Sequence, residues 1–455
     1  MVRRDFLKCI AAAAMPCIAN GCSSRPVRMP TLRSDPKRII DLAEGFDYRI
    51  VSRAGDQMSD RLLVPYAHDG MAAFPGKDGR VILVCNHELG IKNCDFSAFG
   101  TYPVRLSRFV NKQRVYDLGG SRTPGPGGTT TSIFNPATGK TERQHLSLAG
   151  TESNCAGGPT PWGSWLSCEE CFKSPGKERY KRQRLLRERR HGYIFEVPSS
   201  ATGLVDALPI RSMGRFEHEA VAIDANTGIA YLTEDRHRSL FYRYIPDVPG
   251  KLIKGGRLQA LAIRDLPSAA THNWSDETAV DLHRPVDVEW IELENVDPEL
   301  NDLRFRGAAA GAATFARGEG LCITDTGVAF TCTTGGPAKL GQVFTYDPSP
   351  YEGTSREVES PGQLELIAES THDSLLRSAD NLTMAPWGDL IVCEDAELSC
   401  GLIGIRPDGS QYVIADNSYS DSELAGVCFS PDGKTLFVNI QFPGMTVAIT
   451  GPWPV

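Results

Sequence analysis

The chain has 455 residues, of which 41% are hydrophobic and 23% charged, a composition that excludes a disordered protein. A formal net charge of -8 argues against a general nucleic-acid binder and suits a protein that gathers cations. The 44 Gly and 30 Pro lean toward turn-rich β structure, and β architectures use a length like this as one unit.

The chain begins MVRRDFLKCIAAAAM. Arg3 and Arg4 precede Phe6-Leu7-Lys8 and a short Ala-rich run, the twin-arginine export pattern, which predicts a signal over residues 1–22 and a periplasmic or extracellular location. The apolar run is too short to span a bilayer. Cys22 follows Ala19-Asn20-Gly21, which resembles a lipoprotein cleavage site. A lipidated Cys22 that tethers the protein to a membrane and plain cleavage nearby stand as equal alternatives. Residues 23–36 read as a polar tether and 37–455 as one catalytic unit, expected to be a monomer. In an oxidising compartment Cys168 with Cys171, or Cys393 with Cys400, are candidates for pairing. The CEEC stretch has no second pair or His at zinc spacing.

Six segments align on a turn glycine: Gly79, Gly163, Gly228, Gly327, Gly388 and Gly433. Each glycine leads into a short apolar strand and follows another, so each unit is a β-hairpin. A lone hairpin is marginal, and six of them with outer strands between predict an all-β, six-bladed propeller with irregular insertions. Two β-sandwiches would leave the six-fold recurrence unexplained. The stretches DYRIVSRAG, from Asp47, and RLLVPYA, from Arg61, are strand-like and are expected to complete the last blade.

Six residues after each turn glycine stand Cys85, Glu169, Glu234, Thr333, Glu394 and Asn439. Eight or nine before it stand Cys155, Glu219, Glu319 and Asp380, with Met71 and Ala425 in the first and last units. If these are inner strands, both sets converge on one mouth of a central channel. Glu88, Glu170 and Asn381 lie beside them. A single Glu at a strand end is ordinarily solvated; the repeated placement is what argues for a site. Crowded carboxylates raise one another's pKa unless cations sit among them. Oxygen ligands suit Ca²⁺, and a cysteine in the set argues for a softer transition metal alongside. His87 and His218 flank these positions in an ordinary structural role. Arg317, two residues before Glu319, brings a guanidinium to the same mouth, and Lys339 could add a point charge.

The motifs VCNHEL, GTESNCAGGPTPWGSWLSCEE, GRFEHEAVAID, ARGEGLCI and SADNLTMAPWGDLIVCED occur in an order that resembles the PhoX-type alkaline phosphatases over roughly residues 60–450. The resemblance implies a six-bladed propeller that hydrolyses phosphate monoesters with a mixed Ca²⁺ and Fe³⁺ cofactor, a metal-bridging oxygen acting as nucleophile. By motif, Cys155 would ligate iron, Glu88, Glu219, Glu319 and Asp380 would hold metals, and Arg317 would clamp the phosphoryl group. Lys339 is the candidate for the family's phosphate-binding lysine. Glu169, Glu170, Glu234, Glu394 and Asn381 complete the metal set either as ligands or as supporting partners. The chain is shorter than the well-known members, which leaves its range over monoesters and diesters open. A calcium-dependent lactonase or esterase and a non-catalytic binding propeller are the competing readings. The basic stretch 173–191 reads as a solvated helical insertion; the alternative is that it steers anionic substrate or touches an anionic membrane surface.

Overall fold

The computed structural model describes residues 31–101, 109–180, 183–274, 279–396 and 399–454. The twin-arginine stretch, Cys22 and most of the tether lie outside them.

Each of the six glycine turns joins two antiparallel strands. The first strands of the pairs run His68–Pro75, Asn154–Pro159, His218–Ile223, Gly318–Ile323, Ala379–Met384 and Leu424–Phe429. Consecutive members pack on one another and the last packs on the first, which closes a ring around a channel. These are the inner strands of blades 1 to 6. Their approach is close enough to require glycine. A Cβ on Gly70 would lie 2.5 Å from the Cα of Ala156, and one on Gly426, at φ +61, would lie 2.3 Å from the carbonyl of Asp69.

Outer strands complete the blades. Asp47–Arg53 pairs with Met445–Thr450 at the edge of blade 6, so the start of the described chain closes the ring on its end, as DYRIVSR predicts. The stretch from Arg61 to Ala67 is not a strand: it turns, with a single bridge from Leu63 to Gln57, and Pro65 has no N–H to offer a ladder. Blades 3 and 4 share an outer strand, Val286–Glu292, which pairs with both. The core lies between blades. Phe241, Phe330 and Phe344 stack in sequence there, with centroids 4.3 and 5.3 Å apart.

The basic stretch is a two-stranded ribbon, Gly176–Tyr180 against Gln183–Arg187, rather than a helix. Leu185 and Arg187 both turn inward, the period of two that a strand supplies. Arg187 bonds Glu152 at 2.6 and 3.0 Å and Glu178 at 3.0 Å, so part of the basic charge is neutralised locally. Cys168, Cys171, Cys393 and Cys400 are buried thiols without disulfides. Among the described residues no helix is long and apolar enough to cross a membrane.

Candidate metal centre

All six inner strands carry a register shift at the same place, each spanning two residues. The first of those two is Asp69, Cys155, Glu219, Glu319 and Asp380 in blades 1 to 5, and Gly426 in blade 6. A bulge breaks the ladder and re-aims the side chain, here into the channel mouth. The carbonyl released by the bulge is taken up by the preceding blade. Asn86 donates to the Cys155 carbonyl at 3.0 Å and Thr331 to that of Asp380 at 2.6 Å. Thr233 and Asn439 do the same for Glu319 and Asp69.

Two residues before four of the bulges the backbone turns left-handed, at Ala67, Ser153, Arg317 and Ser378, with φ between 48 and 57°. The carbonyls of these residues accept from the N–H groups of Glu88, Glu170, Thr333 and Asp395 at 2.8–3.0 Å. Each tie joins the entry of a hairpin to its exit and fixes both ends of it at the mouth.

At the exits, successive side chains face opposite ways. Glu170, Asp235 and Asp395 reach the mouth, whereas Glu169, Glu234 and Glu394, one residue earlier, turn into their own blades. Glu169 accepts from the N–H groups of Gly192 and Tyr193 at 2.8 and 3.2 Å and pairs with Nδ1 of His191 at 2.6 Å. Glu394 accepts from the N–H groups of Arg377 and Gly401 at 2.7 and 3.0 Å. Glu234 accepts from the Tyr242 hydroxyl at 2.7 Å and faces Arg304 at 3.5 Å.

The mouth encloses about 210 Å³, lined among the described residues by nine carboxylates, Cys155, Gln441 and one cation, Arg317. Within it, ligand atoms of Cys155, Glu170 and Glu219 lie within 4.8 Å of one another, as do those of Asp69, Glu88 and Glu423 and those of Glu219, Glu319 and Asp380. Glu219 belongs to two sets and so bridges them. Further along the same channel the inner strands line a second, more apolar cavity of about 320 Å³ with no carboxylate among its described lining residues. The chemistry is confined to one end.

Burial, reinforced by neighbouring carboxylates, pushes Glu170, Glu219, Glu319, Asp380 and Glu423 well above the usual carboxylate range. Glu88 rises to about 8 by burial and the charge of Asp69. Burial also raises Asp69 to about 6, against hydrogen bonds from Gln441 and the Gly70 N–H. The Cys155 thiol is pushed up by burial and then by Glu219. Cations would relieve all of these shifts together, and the donors fit them: one set contains sulfur and two contain oxygen only.

Arg317 donates Nε and Nη2 to Asp235 at 2.8 and 2.9 Å, and Nη2 also to Glu319 at 2.7 Å. Burial opposes its charge, but Glu319 and Asp235 outweigh it and hold the guanidinium firmly protonated. Its left-handed backbone is a conformation that side chains other than glycine rarely adopt.

The structure thus brings Glu88, Cys155, Glu170, Glu219, Glu319, Asp380 and Arg317 together. It does not bring Glu169, Glu234 and Glu394 to the mouth. Asn381 lies beside it: its amide donates to Asp380 at 3.1 Å and its oxygen accepts from the Gly426 N–H at 2.7 Å. Lys339 is exposed, 5.5 Å from the Trp274 ring and outside the lining. His87 and His218 are buried; burial lowers them to about 4 and about 3, and each is hydrogen-bonded to a backbone carbonyl. Sequence reasoning missed Asp69, Asp235, Asp395, Glu423 and Gln441. Asp235 and Asp395 had a signal, as second members of the acidic pairs in YLTED and IVCED.

The PhoX alkaline phosphatase family matches residues 27–444. The structure of Pseudomonas fluorescens PhoX in complex with vanadate, a transition state analogue, is similar at 18% identity and a TM-score of 0.64, over 93% of this chain and 98% of that one. A Xanthomonas campestris gluconolactonase aligns at 12% identity with a TM-score of 0.43, over 93% of this chain and 100% of its own. No curated protein matches the chain by sequence. The match over nearly the whole chain, with an acidic mouth built by bulges on a propeller, means that the chain belongs to the PhoX alkaline phosphatase family and is a phosphoric ester hydrolase.

Proposed function

We propose that the protein hydrolyses phosphate monoesters at a mixed iron and calcium centre in the channel mouth. One observation carries this reading: a sulfur-containing set and an all-oxygen set share Glu219. Cys155, Glu170 and Glu219 would hold Fe³⁺; Glu319 and Asp380 with Glu219, and Asp69 with Glu88 and Glu423, would hold Ca²⁺. When bound, the metals supply charge neutralisation for the phosphoryl oxygens and a nucleophile at ordinary pH.

The chain's own residues orient the ester. Asp235 occupies Nε and Nη2 of Arg317, whereas Nη1 lies 3.9 Å from Asp395 and makes no hydrogen bond among the described residues, so Nη1 can donate to a phosphoryl oxygen. A cation held in place before substrate arrives needs no reorganisation as charge develops. Lys339 is a second rim cation for the same anion. Glu169, Glu234, Glu394 and Asn381 act as supports for the ligand-bearing strand ends. The twin-arginine stretch supports export to the periplasm, with Cys22 available for a lipid tether.

The test is elemental analysis of the exported protein together with phosphate release from monoesters and diesters. Iron and calcium in the same chain, with turnover lost in Cys155→Ala, are expected. Calcium alone, with turnover intact in Cys155→Ala, would remove iron from the mechanism. Calcium alone without phosphate release would move the reading to a lactonase or a binding propeller.

A further inference from the structure

The segment that leads into Arg317 forms a short ribbon, Phe315–Ala316 against His237–Ser239, and the Arg317 N–H donates to the carbonyl of Arg236 at 3.1 Å. On that ribbon the exposed His237 ring meets Trp274 edge-on, with centroids 5.9 Å apart. Trp274 stacks on His272 at 4.1 Å, and its indole N–H donates to the carbonyl of Thr334 at 2.6 Å. Thr334 is bonded to the same segment, because its N–H donates to Ala316 at 3.4 Å and that of Thr333 to Arg317 at 3.0 Å. Trp274 is therefore anchored to both chain segments that flank Arg317.

This cluster belongs to no part of the packed core. Trp274 and His272 are half-buried and His237 is exposed, as are Arg238 and Lys339; Arg236 is also exposed, but its guanidinium is paired with Glu217. In a protein of net charge -8 it is an aromatic patch with cations around it beside an acidic mouth; the metal sets and Arg317 leave it unused, and of its members only Lys339 has a part in holding the phosphate. An indole presents a flat face to another ring, and the cations around it suit an anion. Lys339 holds its ammonium 5.5 Å from the indole centroid on a flexible four-carbon stem, so an incoming ring can take its place there.

We propose that Trp274, with His237, His272 and Lys339, is the subsite for the organic group of the ester and favours esters whose leaving group is a flat aromatic ring. The proposal rests on the phosphatase reading above.

The experiment uses the full, metal-loaded protein. It compares kcat/KM for phenyl phosphate and glycerol phosphate, and calorimetric Kd for phenylphosphonate and methylphosphonate, in wild type, Trp274→Leu and Trp274→Phe. In Trp274→Leu the phenyl preference should fall about two- to tenfold through the aromatic compounds alone, at unchanged metal content. Trp274→Phe should keep most of the preference. Equal loss for both members of each pair, or equal phosphonate affinities in wild type, would overturn the subsite. If wild type releases no phosphate from any ester yet prefers phenylphosphonate in a way that needs Trp274, the subsite stands and the phosphatase reading falls.

Discussion

Glu169 and Glu170 are neighbours on one strand, yet they face different environments. Glu170 reaches the mouth, whereas Glu169 is fully buried and accepts from three backbone N–H groups, those of Glu152, Gly192 and Tyr193, and from His191. Glu170→Gln should keep the fold and lose bound metal and turnover. Glu169→Gln should cost about 3–5 kcal/mol of stability, because it removes one partner of a buried ion pair. Urea unfolding and metal analysis of the two variants separate these effects; matching phenotypes would refute the division. Arg317 belongs at the same scale. Among the described residues Arg317→Ala removes the one cation lining the mouth and leaves every set of metal-ligating atoms intact. It should lower kcat by about 10²–10³-fold, as loss of a preorganised donor does, with metal content unchanged. A drop in metal content alongside would make Arg317 a scaffold residue instead.

The recurring element is a hairpin with an entry bulge, and in blades 2, 3 and 5 the bulge aims one side chain inward while an exit carboxylate holds its own blade together. In blade 2 that hold extends to His191, which sits between Glu169 at 2.6 Å and Asp117 at 3.3 Å. Burial opposes charge on the ring, but the Glu169 and Asp117 carboxylates prevail and raise its pKa to about 10. The ordinary value is 6.5, so the folded state binds the proton more tightly than the unfolded one. The stabilisation is then complete below pH 6.5 and is lost as pH rises through about 10. Wild type should lose more stability across that window than His191→Gln, as read by thermal unfolding at a series of pH values. Parallel curves would show that the imidazolium contributes nothing.

At the scale of the whole molecule, six blades share one acidic mouth, so the cations that fill it also tie the ring together. Each cation at a hundredfold over its Kd contributes about 2.7 kcal/mol. Chelation should therefore lower Tm as well as activity, and calcium should restore part of both. Burial raises Glu88 from 4.5 to about 8, so its contribution in the metal-free protein is present below pH 4.5 and lost as pH rises through about 8. The Tm difference between metal-loaded and chelated protein should accordingly be larger above about pH 8 than below pH 4.5. A difference that does not depend on pH would mean that the carboxylates are not relieved by cations.

Local chemistry was legible in the linear chain. Turn glycines between apolar runs announce hairpins because only glycine takes those turns cheaply. Cys155, Glu219, Glu319 and Asp380 could be placed because a hairpin of nearly one length, eight or nine residues to the turn glycine, recurs in four blades. Two features belong to the tertiary structure alone. One is parity: successive residues at an exit face opposite ways, and which of them faces the mouth separates Glu170 from Glu169 and Asp395 from Glu394, while the entry bulges re-aim the first strands. The other is long-range approach. Asp69, Glu423 and Gln441 meet only because the sixth blade closes on the first, and Trp274 reaches the flank of Arg317 only through Thr334 and His237. The sequence by itself determined the hairpins and most of the ligand types, since these follow from local propensity; which side chains share the mouth was decided by ring closure and strand register, properties no local stretch contains.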